Sequence, residues 1–370
     1  MVAEHHLAIT LLRELGADTL WHGADSLFEH LCRTALILRA WGSMAAEERA
    51  GLCHSVYDIL LAPNPQARER LSAAIGRDAE AIVYHLATRP LTDLEQALLL
   101  DRAGGVPGAA ALVQVASDLD LLGRVPLPRR QFERQRNLAA LALSRLEPAA
   151  AGDLKRLYRL ETETTRGWRA AVADAYDAGA CRHEAQRRDD SDDVRLLEFL
   201  DALVPAGGCV LDLGCGGGRP VTAYLARRFR VVGVDVSKRQ LELAREAAPT
   251  AKLVHADMLD LPFANGAFDA VVSYYAIIHV PRALHVLALA EARRVLRPNG
   301  WALLCLGATD KPAEYEVTLL DRPILFSHFD EGDNLDLLAE QGFTVRWHGL
   351  IGGGSSTFLF VLAQASGTLP

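Results

Sequence analysis

The strongest constraint on the fold of this chain is a change in hydrophobic periodicity near residue 205. Before it, from about residue 4 to 165, apolar residues recur every three or four positions, as in LFEHLCRTALILRAWG. Such spacing is typical of amphipathic helices with one buried stripe. We therefore expect an all-helical N-terminal region.

After residue 205, short apolar runs bounded by Gly, Pro, Asp and Asn alternate with helical segments such as VTAYLARRF. This alternation predicts an α/β fold with a doubly wound, mostly parallel sheet and helices on both faces. The predicted strands are CVLDLG, RVVGVDVS, AKLVHADM, FDAVVSYY, GWALLCLG, TVRWHG and STFLFVLAQ. We divide the chain into a helical domain (1–150), a charged segment that is either a helical connector or a lid (151–195), and an α/β domain (196–370).

Length, charge and cysteine usage narrow the class of protein. The chain has 370 residues, 50% of them hydrophobic, which is enough for two cores of ordinary size. Its formal net charge is −8 and its basic residues are scattered among acids, so we expect no nucleic-acid partner. The six cysteines form no C-x-x-C pair, and we find neither a signal-peptide pattern nor a run of eighteen apolar residues. We expect a soluble, cytoplasmic protein that does not associate with membranes.

A glycine-rich segment, VLDLGCGGGRP, joins the first predicted strand of the α/β region to a helix. Gly214, Gly216 and Gly218 lack Cβ atoms, so the backbone can approach a ligand, and the next helix offers free N–H groups. Glycines also serve tight strand-to-helix turns, so they are a weak signal alone. The third glycine comes one residue too early for the G-x-G-x-x-G loop of nicotinamide dehydrogenases, which argues against that class.

Carboxylates occur at the ends of neighbouring predicted strands. Asp212 lies in the first strand, Asp235 ends the second, and Asp257 with Met258 ends the third. The carboxyl edge of an open parallel sheet is where such folds bind ligands. An acid after the second strand can accept hydrogen bonds from both hydroxyls of a ribose.

The segments VLDLGCGGG, VVGVDVS, HADMLDLPFANGAFDAVVS and RVLRPNGWALL follow one another in an order that resembles the class I S-adenosylmethionine-dependent methyltransferases, over roughly residues 171–365. The resemblance implies a Rossmann-like methyltransferase fold and S-adenosylmethionine as cofactor. It implies that the glycines shape the methionine and ribose pocket, that Asp212 orients the methionine amino group through water, and that Asp235 binds the ribose. It places Asp257 and Met258 beside the adenine, although Met258 is alternatively a core side chain. The expected cofactor-binding residues are Asp212, Gly214, Gly216, Gly218, Asp235, Val236, Asp257 and Met258.

The segment SYYAIIHVPR follows the fourth predicted strand and resembles a subset of small-molecule methyltransferases. Methyl transfer from a sulfonium depends mainly on aligning the nucleophile and excluding water, and it needs a base only for a protonated nucleophile. His279, beside the expected methyl group, is a candidate for that base. The alternative is a buried histidine bonded to the backbone.

Two tyrosines precede His279, and they alternate faces if they still belong to the strand. We expect Tyr275 to face the site, and we assign His279 and Tyr275 as catalytic. The expected substrate contacts are Tyr176, Tyr274, His285 and His328. His285 is alternatively a packing residue, and SHFD around His328 is alternatively a helix cap formed by Ser327 or Asp330.

In the N-terminal half, His30 and His54 lie on successive predicted helices among apolar residues. The pair resembles the start of HD-type metal phosphohydrolase domains and, more closely, an uncharacterised helical family that reads His-Ser-x-Tyr, over roughly residues 4–125. A His-Asp metal site needs a carboxylate beside imidazole, and Ser55 supplies none. Further candidate ligands are Asp58, His85 and Asp101. We expect a degenerate HD-like domain without a metal that serves packing, dimerisation or a pocket; a bound metal ion is the alternative.

The whole sequence predicts methyl transfer from S-adenosylmethionine to an oxygen or nitrogen of a small molecule in secondary metabolism, by a chain that can form a homodimer. Two alternatives stay open. A methyltransferase fold can use the cofactor for cyclisation or elimination without methylation, or the chain can be a non-catalytic binding protein.

Overall fold

The computed structural model of the chain describes residues 5–22, 25–99, 105–121, 129–142, 146, 151, 164–185, 191–317, 322–352 and 357–367. The chain divides into two compact units, Met1–Thr162 and Glu163–Pro370. Among the helices in these described ranges, none is both long enough and apolar enough to cross a bilayer.

The first unit is helical, as the periodicity predicts. Its helices are α1 (His6–Glu14), α2 (Leu27–Ala40), α3 (Ala45–Cys53), α4 (Pro65–Ile75), α5 (Arg77–Thr88), α6 (Leu91–Leu99), α7 (Gly105–Leu121) and α8 (Arg129–Ala142), with a π-helix at Val56–Leu60. The exception is a small hairpin of β1 (Trp21–His22) and β2 (Asp25–Ser26).

Helix α2 lies against α3 and α7. It begins at a capping box in which the Ser26 hydroxyl accepts from the Glu29 N–H and the Glu29 carboxylate accepts from the Ser26 N–H. Leu27, Leu31 and Leu38, spaced four and seven residues apart, are fully buried, whereas Leu36 is exposed. Gly51 permits the close approach of α3, because a Cβ at that position would lie 2.4 Å from Leu38 Cδ1.

The second unit alternates helices and strands. Its helices are α9 (Thr164–Ala185), α10 (Asp192–Arg195), α11 (Glu198–Leu203), α12 (Val221–Leu225), α13 (Lys238–Ala247), α14 (His285–Val295) and α15 (Glu331–Glu340). Its strands are β3 (Cys209–Leu213), β4 (Arg230–Asp235), β5 (Lys252–His255), β6 (Phe268–Ser273), β7 (Leu296–Gly307), β8 (Lys311–Val317), β9 (Pro323–His328), β10 (Phe343–Ile351) and β11 (Phe358–Ala365). Helix α9 occupies much of the segment predicted as a connector or lid.

Seven strands form one sheet in the order β10-β11-β7-β6-β3-β4-β5, and all seven predicted strands belong to it. The five strands from β7 to β5 are parallel, and β11 runs antiparallel to both β7 and β10. The predicted doubly wound α/β fold is confirmed. The β8–β9 hairpin lies outside this sheet and was not among the predicted strands.

Strand β3 lies in the middle of the sheet, between β6 and β4, and this order leaves room for a ligand at its carboxyl end. The chain runs from β3 to β4 and β5 on one side and then returns to β6 on the other side of β3. The connections after β3 and β6 therefore lead to strands on opposite sides of β3, an arrangement that leaves a crevice at the carboxyl edge. The inner strands are buried on both faces, which explains the continuous apolar run of CVLDL around Val210 and Leu211.

Candidate active site

A cavity lies at the carboxyl edge of the second unit. Its walls come from the segments after four parallel strands: 214–217 after β3, 234–236 at the end of β4, 256–258 after β5 and 274–276 after β6. Helix α9 supplies a further wall through Trp168, Val172 and Tyr176. The cavity is therefore built within one unit.

The glycine-rich turn brings two loops together and anchors a helix. Gly214 has a φ of 78°, and a Cβ there would lie 2.3 Å from the Ala276 Cβ, so only glycine allows the β3 and β6 loops to touch. Gly214 and Gly216 line the cavity. Gly218 does not; a Cβ at Gly218 would lie 3.0 Å from the Ala244 Cα, so this glycine serves the packing of α13.

Asp235 lies at the end of β4 and lines the cavity together with Val236. Its Oδ2 accepts from the Gly216 N–H at 2.9 Å, and its Oδ1 accepts from the Ser237 N–H at 2.8 Å. Burial raises the pKa of Asp235, and these backbone N–H groups partly offset that rise. Each oxygen keeps a second lone pair, so the carboxylate can accept further hydrogen bonds.

The other two predicted acids differ in their surroundings. Asp212 is buried, accepts from the Thr222 hydroxyl at 2.6 Å and is not part of the cavity wall. Asp257 lies in the wall beside Met258. Its Oδ1 accepts from the Leu259 N–H at 2.9 Å, while its Oδ2 pairs with Arg169 of α9.

His279 ends a single 3₁₀ turn, Ile277–His279, that follows β6, and its ring lines the cavity. Its Nδ1 lies 2.7 Å from the Leu325 carbonyl oxygen, so in the neutral ring Nδ1 carries the proton and Nε2 is the acceptor. The Tyr176 hydroxyl lies 2.9 Å from Nε2 and donates to it. The ring is thus bonded to the backbone, as the second alternative predicts, and it also faces the cavity; its role as a base stays a prediction.

The two tyrosines before His279 do not alternate as strand residues. Strand β6 ends at Ser273, and Tyr275 has a φ of 56°. Both rings line the cavity, and both hydroxyls donate to Asp193: Tyr274 to its carbonyl at 2.8 Å and Tyr275 to its carboxylate at 3.0 Å. Tyr274 is also part of the buried core, so both tyrosines line the cavity and one of them packs in the core as well. The expected strand alternation does not apply, because the strand stops before them.

Two predicted substrate residues lie elsewhere. His285 begins α14, where its Nε2 donates to the Val280 carbonyl at 3.0 Å and burial lowers its pKa to about 4. His328 Nδ1 donates to the Thr309 carbonyl at 2.7 Å. Neither ring is part of the cavity wall. Asp330 caps α15 by accepting from the Asp333 N–H, as the capping alternative predicts.

The residues that the sequence interpretation missed lie mainly on α9. Trp168 and Val172 were not predicted, whereas Tyr176 was expected as a substrate contact. The three residues are four apart and therefore share one face of the helix, so their spacing could have identified the other two. Asp177 fixes the same helix to α13 by accepting from the Ser237 hydroxyl at 2.5 Å. The charge density of this segment hid the buried face.

The first unit brings His30 and His54 together. Their Nε2 atoms are 3.2 Å apart, and the Ser117 hydroxyl lies 3.3 Å from the first and 3.0 Å from the second. The opposite nitrogens are anchored, His30 Nδ1 on the Asp120 carboxylate at 2.9 Å and His54 Nδ1 on the Gly51 carbonyl at 2.7 Å. Ser117 and Asp120, on α7, were not predicted, because nothing in the sequence links them to histidines more than sixty residues away.

This cluster differs from the predicted metal ligands. The Asp120 carboxylate bonds the ring nitrogen of His30 that faces away from His54, so the three groups do not converge on one point. Asp58 is exposed, His85 lies on α5, and Asp101 lies outside the described residues. Within the described ranges, no three His, Cys, Asp or Glu side chains form a group that could hold a metal ion.

Two family matches cover different parts of the chain. Residues 210–300 match a methyltransferase domain, and residues 11–90 match a domain of unknown function, DUF6817. The resemblance of the first unit to HD-type domains stays a prediction.

Three relatives show the range of the similarity. An uncharacterized methyltransferase of Synechocystis, sll0829, is 34% identical over 166 residues, which are 43% of this chain and 77% of that protein. The 27-O-demethylrifamycin SV methyltransferase of Amycolatopsis mediterranei is 35% identical over 116 residues, 29% of this chain and 42% of that protein. The tRNA (carboxymethyluridine(34)-5-O)-methyltransferase ALKBH8 of Mus musculus is 37% identical over 120 residues, 32% of this chain and 17% of that protein. The chain spans less than half the length of the latter two relatives.

Among solved structures, the chain is similar to the 1,6-didemethyltoxoflavin-N1-methyltransferase of Burkholderia thailandensis, which contains 1,6-didemethyltoxoflavin and S-adenosylhomocysteine. The match covers 53% of this chain and 88% of that one, with 23% identity and a TM-score of 0.43.

Proposed function

This chain belongs to the S-adenosylmethionine-dependent methyltransferases, and from that premise we propose that its second unit methylates an oxygen or nitrogen of a small organic molecule. The observation that carries the proposal is the cavity at the carboxyl edge of β3–β6, because it combines a carboxylate suited to a ribose with an anchored imidazole. The cofactor is S-adenosylmethionine. The first unit has no assigned part in this chemistry.

We propose that the cofactor's ribose binds Asp235, whose carboxylate is already oriented by two backbone N–H groups. Gly214 and Gly216 leave room for the methionine and ribose, while Val236 and Met258 contact the adenine ring. Asp257 accepts from the adenine amino group. Asp212 and Gly218 lie outside the cavity wall, so we do not propose that they contact the cofactor. Fewer residues therefore contact the cofactor than the sequence predicted.

We propose His279 as the base and Tyr176 as the hydroxyl through which it acts. Bound S-adenosylmethionine would supply the methyl group and leave as the neutral sulfide, so a protonated acceptor oxygen or nitrogen would have to release one proton. That proton passes to the Tyr176 oxygen while the Tyr176 proton passes to His279 Nε2, along the 2.9 Å hydrogen bond. The Leu325 carbonyl holds the ring in the tautomer that this transfer requires.

Both tyrosines of the β6 loop are proposed to contact the substrate rather than to exchange protons with it. Their hydroxyls donate to Asp193, which fixes the rings at the cavity wall. Fixed aromatic faces offer apolar contact to a ring-containing acceptor and exclude water from the methyl group. Tyr275 was predicted to be catalytic, and its bond to Asp193 favours a binding role instead.

A small-molecule acceptor is favoured over a nucleic acid by the net charge of −8, because a phosphate backbone requires a basic surface. The relative from Amycolatopsis, named for a rifamycin, supports an acceptor from secondary metabolism. The relative named for tRNA makes the nucleic-acid alternative worth testing directly.

The test is to incubate the purified chain with methyl-labelled S-adenosylmethionine and, separately, a panel of phenols, amines and macrocyclic metabolites, and total tRNA. We expect a product one methyl group heavier than one of the small molecules, together with S-adenosylhomocysteine. Label in tRNA would contradict the small-molecule acceptor. A rearranged product of unchanged mass, with no S-adenosylhomocysteine formed, would establish the non-methylating alternative.

A further inference from the structure

Helix α9 places a buried tryptophan at the cavity with its polar group unsatisfied. Trp168 is 5% exposed and lines the cavity. Among the described residues, no acceptor lies within hydrogen-bond distance of its indole N–H. Buried indole N–H groups usually find a partner, because an unsatisfied buried donor destabilises the fold. An acceptor other than those of the described residues is therefore expected at this point.

The neighbouring residue locates the tryptophan along the cavity. Arg169 pairs through Nε with Asp257, in the loop after β5, and its guanidinium carbon lies 5.1 Å from the Trp168 ring centroid. The Nη2 of Arg169 is also buried and has no hydrogen-bond partner among the described residues. Trp168 thus lies on the Asp257 side of the cavity.

The other end of the same helix face lies at the proposed methyl-transfer site. Tyr176 is eight residues beyond Trp168, which corresponds to about 12 Å along a helix. Its hydroxyl bonds His279, whereas the Trp168 end bonds Asp257 through Arg169. Helix α9 therefore runs from the methyl end of the cavity to the end where the adenine is proposed to bind.

We propose that Trp168 donates its indole N–H to a ring nitrogen of the cofactor's adenine, on the edge that carries the amino group. That edge presents one donor, the amino group, flanked by two acceptors, N1 and N7. Asp257 supplies the acceptor for the amino group and Trp168 supplies the donor for a flanking nitrogen. Arg169 is a positioning residue that orients Asp257. This assignment rests on the proposed function, since it takes the same adenine site and adds the residues that recognise it.

The first experiment is calorimetric titration of the full chain with S-adenosylhomocysteine. Trp168→Phe keeps most of the aromatic surface and removes the N–H, and we expect it to weaken binding about tenfold, the effect of one hydrogen bond. The matched control is Trp347→Phe, a tryptophan of β10 that packs against Phe199 and is not part of the cavity wall, with affinity unchanged. Equal affinity of Trp168→Phe and wild type would overturn the inference.

The second experiment varies the ligand, so it does not depend on the folding of a variant. S-adenosylhomocysteine analogues in which N1 or N7 is replaced by carbon are titrated into the wild-type chain. We expect one of them to lose about tenfold in affinity and to lose nothing more against Trp168→Phe, because the two changes remove the same bond. Two analogues that both bind the wild type as tightly as the parent would overturn the inference. If the wild type does not bind S-adenosylhomocysteine at all, the proposed function itself fails, and the inference with it.

Discussion

His279 in the second unit and His54 in the first are anchored in the same way, and they differ in what faces the remaining nitrogen. Each ring donates from Nδ1 to a backbone carbonyl at 2.7 Å, Leu325 for His279 and Gly51 for His54. The Nε2 of His54 faces another buried imidazole, that of His30, at 3.2 Å. The Nε2 of His279 faces a tyrosine hydroxyl at the wall of a cavity. The anchoring fixes the same tautomer in both places, and the surroundings of Nε2 are what differ.

The largest expected effect is a loss of cofactor affinity, which we expect from a substitution in the second unit and not from one in the first. Asp235→Ala removes the carboxylate proposed to hold the ribose, and we expect calorimetry to detect no binding of S-adenosylmethionine. Asp192→Ala, at a carboxylate that is 80% exposed, and His30→Ala, in the first unit, should bind as the wild type does. Normal binding by Asp235→Ala would remove the ribose assignment.

The next effect tests whether the two histidines differ in chemistry. His279→Gln should lower turnover about 10²–10⁴-fold, the usual contribution of a general base, with the cofactor affinity unchanged. His54→Gln should leave turnover per folded molecule at the wild-type value. Steady-state kinetics and calorimetry measure both. A parallel loss of turnover and affinity in His279→Gln would give this histidine a structural role like that of His54.

A smaller effect concerns the stability of the first unit. Asp120 accepts from His30 Nδ1 and from Arg33 Nε; burial alone would raise its pKa, and these two bonds outweigh burial and lower it. Asp120→Ala should destabilise the first unit by about 3 kcal/mol, because it leaves buried partners uncompensated. Hydrogen exchange of α2 and α7 measures this loss, with the exposed Asp93→Ala as control. Wild-type protection would show that the cluster contributes nothing to the fold.

The smallest expected effects concern stability, which should depend on pH in opposite directions in the two units. Burial raises the pKa of Asp118 to about 7, so between pH 4 and 7 the folded state holds a proton that the unfolded state has lost, and stability falls as the pH rises. Burial lowers the pKa of His285 to about 4, so below about pH 6.5 the unfolded state takes up the proton first, and stability falls as the pH falls. Each trend should be at most about 1.4 kcal/mol per pH unit, the effect of one proton.

Hydrogen exchange between pH 4 and 8 follows both units in one sample. Asp118→Asn should flatten the trend of α7, and His285→Gln should flatten that of α14. Identical pH dependence in the two units would contradict the assignment of these trends to buried groups.

Local patterns predicted the sheet and its glycine-rich edge, because strand periodicity and turn chemistry depend on neighbouring residues. All seven strands, the Gly214 turn and the place of Asp235 follow from them. The failures involve partners distant in sequence. The strand ends before Tyr274 and Tyr275, whose hydroxyls bond Asp193 about eighty residues earlier.

Proximity in sequence also misled the assignment of His285. His285 follows His279 by six residues, but a second 3₁₀ turn, Arg282–Leu284, lies between them. The His285 ring therefore packs beside Phe329 and does not line the cavity. Trp168 and Val172 were missed for a different reason, because the charged composition of their segment masked a buried helical face. Composition is an average over a whole segment, whereas a single face of a helix is enough to line a cavity.

The contacts of helix α9 also affect the turnover rate that we expect. Helix α9 is tied to the sheet at three points, by Arg169 to Asp257, by Asp177 to Ser237 and by Tyr176 to His279. We expect exchange of S-adenosylhomocysteine for fresh cofactor to involve separation of the helix from at least one of them. We therefore expect release of the product, and not the transfer of the methyl group, to limit the number of cycles that the enzyme completes each second.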